Sequence, residues 1–150
     1  MNIMRSTFFK NACASASLVL AVGHTPIALA HVQGGSLGPA AQATDLYTVI
    51  CSTDSGGVSF RLRTRVKDNT AGSSLVQVQT RKGSIATNTT DPSGGNTAYS
   101  PVVYNNSGNG AYNVLVDKTT TGANSYTLEY HCETAAGSHT GTSITTNQNQ

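Results

Sequence analysis

Apolar and polar residues alternate along much of this chain, and nowhere do they recur at helical spacing. "LYTVIC" (46–51) puts Tyr47, Val49 and Cys51 on one face. "VSFRLRTRV" (58–66) sets Val58, Phe60, Leu62 and Val66 against Arg61, Arg63 and Arg65. "LVQVQTR" (75–81), "AYNVLVDK" (111–118) and "SYTLEYHC" (125–132) repeat the pattern, the last with Tyr126, Leu128, Tyr130 and Cys132 on one side. A period of two marks strands with one buried face. Between these runs lie "DSGG", "DNTAGSS", "DPSGGN", "NNSGNG" and "TTTGANS", rich in residues that tolerate turn geometry. Short strands separated by turns and not by helices predict an all-β fold, an antiparallel β-sandwich of jelly-roll or immunoglobulin-like type.

The first thirty residues do not fit that pattern. Arg5 and Lys10 precede an apolar run around "ASLVLAV", and "TPIALA" ends with Ala28 and Ala30 at the small positions a signal peptidase reads. Residues 1–30 are therefore expected to be a secretory signal peptide, removed before folding, and the protein to be secreted or periplasmic. Residues 31–150 are expected to form a single sandwich domain. Their polar or small-residue ends, "HVQGGSLGPAAQAT" and "GSHTGTSITTNQNQ", are expected to be flexible. No run in them is long enough to span a bilayer as a helix.

Cleavage changes both the charge and the cysteine count. Without Arg5 and Lys10 seven basic residues face seven acidic ones, so nucleic acid is excluded as an expected partner. Cys13 leaves with the leader, and the remaining pair, Cys51 and Cys132, reads as one disulfide. The two cysteines lack the close spacing of zinc-binding thiolates.

The run from Asp45 to Cys132 resembles the bacterial pre-peptidase C-terminal domain. The shared features are "TDLYTV" at its start, "GAYNVLV" (110–116), and "SYTLEY" (125–130) as a closing strand. The resemblance implies a small β-sandwich accessory to secretion or to polymer binding. The middle strand, "LVQVQTRKG", lacks the aspartate common in that family, so no calcium site is carried over.

Two constellations carry candidate chemistry. Three histidines follow the cleavage point: His31, His131 and His139. If the cut falls after Ala30, His31 offers one Cu(II) ion both its α-amine and its ring, with His131 or His139 adding an imidazole. Such nitrogen-rich tetragonal sets suit copper(II). An N-terminal histidine with another near the C-terminus of a small sandwich is similar to periplasmic copper carriers. In those an acidic residue commonly flanks the second histidine, and "GSHTG" has none. The second constellation is cationic. Arg61, Arg63, Arg65 and Lys67 share a face, with Gln77, Gln79 and Arg81 beside them if "DNTAGSS" closes a hairpin. That face is a candidate binding site for an acidic polysaccharide, since guanidinium matches carboxylate and sulfate.

No G-x-S-x-G nucleophile elbow is present, and no motif places an acid/base pair. The primary expectation is thus a non-catalytic binding, accessory or surface-structural module, without cofactor, whose partner is a polysaccharide or an extracellular protein. The alternatives are a copper-binding protein and a self-assembling fibre subunit whose N-terminal arm adds a strand to a neighbour.

Overall fold

A computed structural model describes residues 31–150; the expected signal peptide lies outside them. The described chain is all β, with nine strands: β1 (His31–Leu37), β2 (Asp45–Ser52), β3 (Arg61–Asp68), β4 (Val76–Lys82), β5 (Ile85–Thr90), β6 (Val103–Asn105), β7 (Gly110–Lys118), β8 (Asn124–Glu133) and β9 (Gly141–Gln148). They form two antiparallel sheets, ordered β1-β8-β3-β6 and β5-β4-β7-β2-β9. The expected sandwich is therefore present.

The core is built by the alternation. Tyr47, Val49, Val76, Val78, Tyr112, Val114 and Val116 from the five-stranded sheet meet Leu37, Leu62, Val66, Tyr126, Leu128 and Tyr130 from the other, all buried. Cys51 on β2 and Cys132 on β8 are disulfide-bonded with a Cα separation of 5.4 Å, so the bridge staples one sheet to the other. A polar cluster is buried beside this core. Tyr126 donates to the carboxylate of Asp45 at 2.5 Å, and its hydroxyl also contacts that of Tyr47. Asp45 is further bound by the backbone N–H of Gln150 at 2.8 Å, which ties the chain end to the core.

The terminal segments contain the edge strands β1 and β9, held along β8 and β2 respectively. Two expectations need correction. Val58 and Phe60 lie outside β3 and are exposed, at 66% and 45%. Phe60 is engaged through its backbone instead, donating to the Glu133 carbonyl and accepting from Gly108, and the alternation of β3 starts in a new phase at Arg61. Finally, "DNTAGSS" does not close a hairpin. It crosses from one sheet to the other, and β4 pairs with β5 and β7, never with β3. Gln77, Gln79 and Arg81 therefore do not extend the arginine face.

Candidate metal centre

His31, His131 and His139 come together at one end of the sandwich. His131 lies near the C-terminal end of β8, opposite Arg63 of β3. His31 opens β1, whose antiparallel register sets it across from Tyr130, the residue preceding His131. His139 sits in the β8–β9 connection. There the backbone N–H of Thr134 donates to the carbonyl of Ser138, that of Thr140 donates to the carbonyl of Cys132, and Glu133 and His139 form a bridge. The turn depends on Gly137 at φ +88°, a left-handed conformation that suits glycine. Gly56 lies against the His139 carbonyl so closely that a Cβ there would overlap it, so the 54–57 turn buttresses the same loop.

The ring centroids are 5.8 Å apart for His31 and His131, 4.5 Å for His131 and His139, and 6.2 Å for His31 and His139. One nitrogen from each ring lies within 4.8 Å of the others. Two nitrogens opposite one another across an ion with bonds of about 2.0 Å are about 4 Å apart. Nitrogens at neighbouring corners of a tetragonal site are about 2.8 Å apart, so closing the three rings on an ion needs contractions of up to about 2 Å, within the reach of side-chain rotation. The Nδ1 atoms of His31 and His131 are buried and have no hydrogen-bond partner among the described residues. His131 is only 3% exposed, whereas His31 and His139 are half-buried at the rim.

The electrostatics favour the uncharged form of His131 and of His31. Burial, reinforced by the neighbouring His139, lowers the pKa of His131 to about 4. The same two causes lower that of His31. Imidazoles in this state present lone pairs at neutral pH, as a metal ligand must.

Sheet alternation places His131 on the face opposite the core, where the sequence predicts solvent. That face is covered. Glu129 and Glu133 flank His131 on β8 and are themselves buried, beneath Arg61, Arg63 and Arg65 of the adjacent strand. Arg61 binds Glu133 at 2.8 Å, Arg65 binds Glu129 at 2.6 Å, and Arg63 pairs with Glu129. Arg61 also lies over Tyr104, and Arg65 and Lys67 over Tyr99. Burial alone would raise the Glu129 carboxyl, but the guanidiniums of Arg65 and Arg63 outweigh it and hold the pKa below the usual carboxylate value. The arginines read as a polysaccharide surface thus spend their charge on β8 carboxylates, and Arg81 lies in the other sheet, bound to the Gly83 carbonyl. Strand alternation in the sequence puts Glu129 beside His131 on the outward face, but sequence reasoning missed Glu133 and the arginines' hold on both carboxylates. Their signal is the alternation E-x-H-x-E on β8 facing R-x-R-x-R on β3.

Comparison with protein-family models, with curated proteins and with solved structures finds no match. None of them bears on the resemblance to the pre-peptidase C-terminal domain.

Proposed function

We propose that the chain, exported and cut after Ala30, is a Cu(II)-binding module whose ligands are the α-amine and ring of His31 together with the imidazoles of His131 and His139. One observation carries this reading: three histidines separated by up to 108 positions in the sequence bring their nitrogens within 4.8 Å of one another. The donor set supports the choice of metal. It contains nitrogen and no thiolate, which suits tetragonal copper(II) better than soft or all-oxygen ions. The buried disulfide fits an oxidising compartment outside the cytosol. The primary sequence reading, a non-catalytic binding module, is kept in this proposal with the ion as what it binds.

The test uses mature protein whose N-terminus has been verified by mass spectrometry. Titration with Cu(II) should show one equivalent bound tightly, with several nitrogens coupled in the electron paramagnetic resonance spectrum. His31→Ala and His139→Ala should each abolish tight binding. A single glycine placed ahead of His31 should remove the amine from the ligand set and weaken binding while leaving all three rings. Weak binding indifferent to all three changes would refute the proposal. Tighter binding of Zn(II) than of Cu(II) would refute the choice of ion.

A further inference from the structure

We propose that Glu129 is a positioning residue for this centre. Its carboxylate, gripped by Arg63 and Arg65, takes the Nε2–H of His131 and so leaves Nδ1 as the lone pair offered to the ion. The proposal rests on the copper reading for its consequence, but its first half concerns the metal-free protein and stands on its contacts alone.

The Nε2 atom of His131 is 3.4 Å from Oε1 of Glu129, a few tenths of an ångström beyond an ordinary hydrogen bond. An ionised carboxylate accepts and never donates, so the proposed pairing requires the ring proton on Nε2, with a small turn of the ring closing the 3.4 Å approach to a hydrogen bond. The other nitrogen, Nδ1, is buried without a partner among the described residues. An unpaired buried lone pair in a cluster of two further imidazoles is what a ligand looks like before its ion arrives. Metal-binding histidines generally give their second ring N–H to a carboxylate, which fixes tautomer and ring orientation.

Glu129 suits that task because it cannot easily turn away. Arg63 and Arg65 hold its two oxygens separately, Oε1 and Oε2, so the oxygen facing His131 is fixed from two sides. Both guanidiniums come from β3, whose register with β8 sets Arg65 opposite Glu129 and Arg63 opposite His131. The arginine stripe thereby serves the metal centre through the glutamate, not as a surface for an external anion. A purely structural glutamate, neutralising the arginines and nothing more, would leave the ring free to choose either tautomer.

Two measurements separate these roles. Nitrogen-15 shifts of the His131 ring in metal-free protein at neutral pH should report Nε2–H in the wild type and a mixture in Glu129→Leu. Glu129→Gln, whose amide oxygen still accepts, should restore the wild-type tautomer. Cu(II) affinity should fall 10- to 100-fold in Glu129→Leu and only a few-fold in Glu129→Gln. Finding Nδ1–H on His131 in the wild type would overturn the proposal, whether or not the leucine variant folds. So would a folded Glu129→Leu protein that binds Cu(II) as tightly as the wild type. Wild-type protein with the Nε2–H tautomer but no affinity for Cu(II) would uphold the positioning of the ring and refute the copper reading alone.

Discussion

Lowering the pH should destabilise this fold well above the range in which carboxylates are protonated, and His131 is the reason. Its pKa is about 4 in the folded protein, against 6.5 for an unperturbed imidazole, because burial and the adjacent His139 disfavour the charged form. Between these values the unfolded chain binds a proton that the folded one refuses. Stability is then fully present above pH 6.5 and is lost as the pH falls toward 4. A difference of about 2.5 units at 1.36 kcal/mol each makes the loss about 3 kcal/mol across the window. His31, shifted the same way, adds to it. Glu129, whose pKa is lowered by its arginines, contributes stability that begins to be lost as the pH falls through the ordinary carboxylate value and is gone once it passes the lowered folded one. Urea unfolding of chelator-treated protein, repeated from pH 7.5 to 4.5, would measure the slope. His131→Gln removes the titrating group while keeping a polar side chain of similar reach, and should flatten that curve by most of this amount. Parallel curves for the two proteins would show that His131 titrates normally, and the uncharged cluster would lose its basis.

Two further outcomes test the frame that holds the centre. The Cys51–Cys132 bridge closes a loop of 81 residues, so Cys51→Ala with Cys132→Ala should cost about 4–5 kcal/mol on the chain-entropy account, lowering Tm by roughly 15–20 °C; a drop of under about 5 °C in calorimetry would contradict it. In β1, a Cβ at Gly35 would overlap the hydroxyl end of Tyr126, whereas one at Gly34 meets nothing within 4 Å; Gly35→Ala should therefore destabilise by about 1–3 kcal/mol and Gly34→Ala should not, as measured by denaturant melts of the two variants side by side.

The parts of the fold legible in the sequence are those where burial on one face imposes a period of two. β2, β3, β4, β7 and β8 carry such runs, and they are the five strands that build most of the core. The other four are edges. β1 has two glycines, β5 and β9 are rich in threonine and other polar residues with at least half their positions exposed, and β6 is three residues long. An edge strand needs little apolar patterning because its backbone pairing on one side and a few contacts hold it, so composition made β1 and β9 look like loose ends. The candidate centre was half legible for the same reason. The three histidines were visible as residues, but only the register of β1 on β8 brings His31 beside His131, and that register belongs to a strand with no pattern to read.

The arginine stripe illustrates a different limit. Three like charges on alternate positions of one strand are ambiguous by themselves, since a solvated edge, a polyanion surface and a paired interior strand all produce them. The ambiguity ends with the neighbour. β3 is a central strand, and β8 offers Glu133, His131 and Glu129 in register against Arg61, Arg63 and Arg65. Two carboxylates therefore absorb three guanidiniums, and the one position in that row without a carboxylate is the histidine. A carboxylate at position 131 would complete the charge pairing. An imidazole there leaves the pairing short and places a neutral nitrogen base, buried and held from behind, within reach of two others at the rim. Charge pairing alone does not ask for a neutral base at that position; the proposed ion-binding role does.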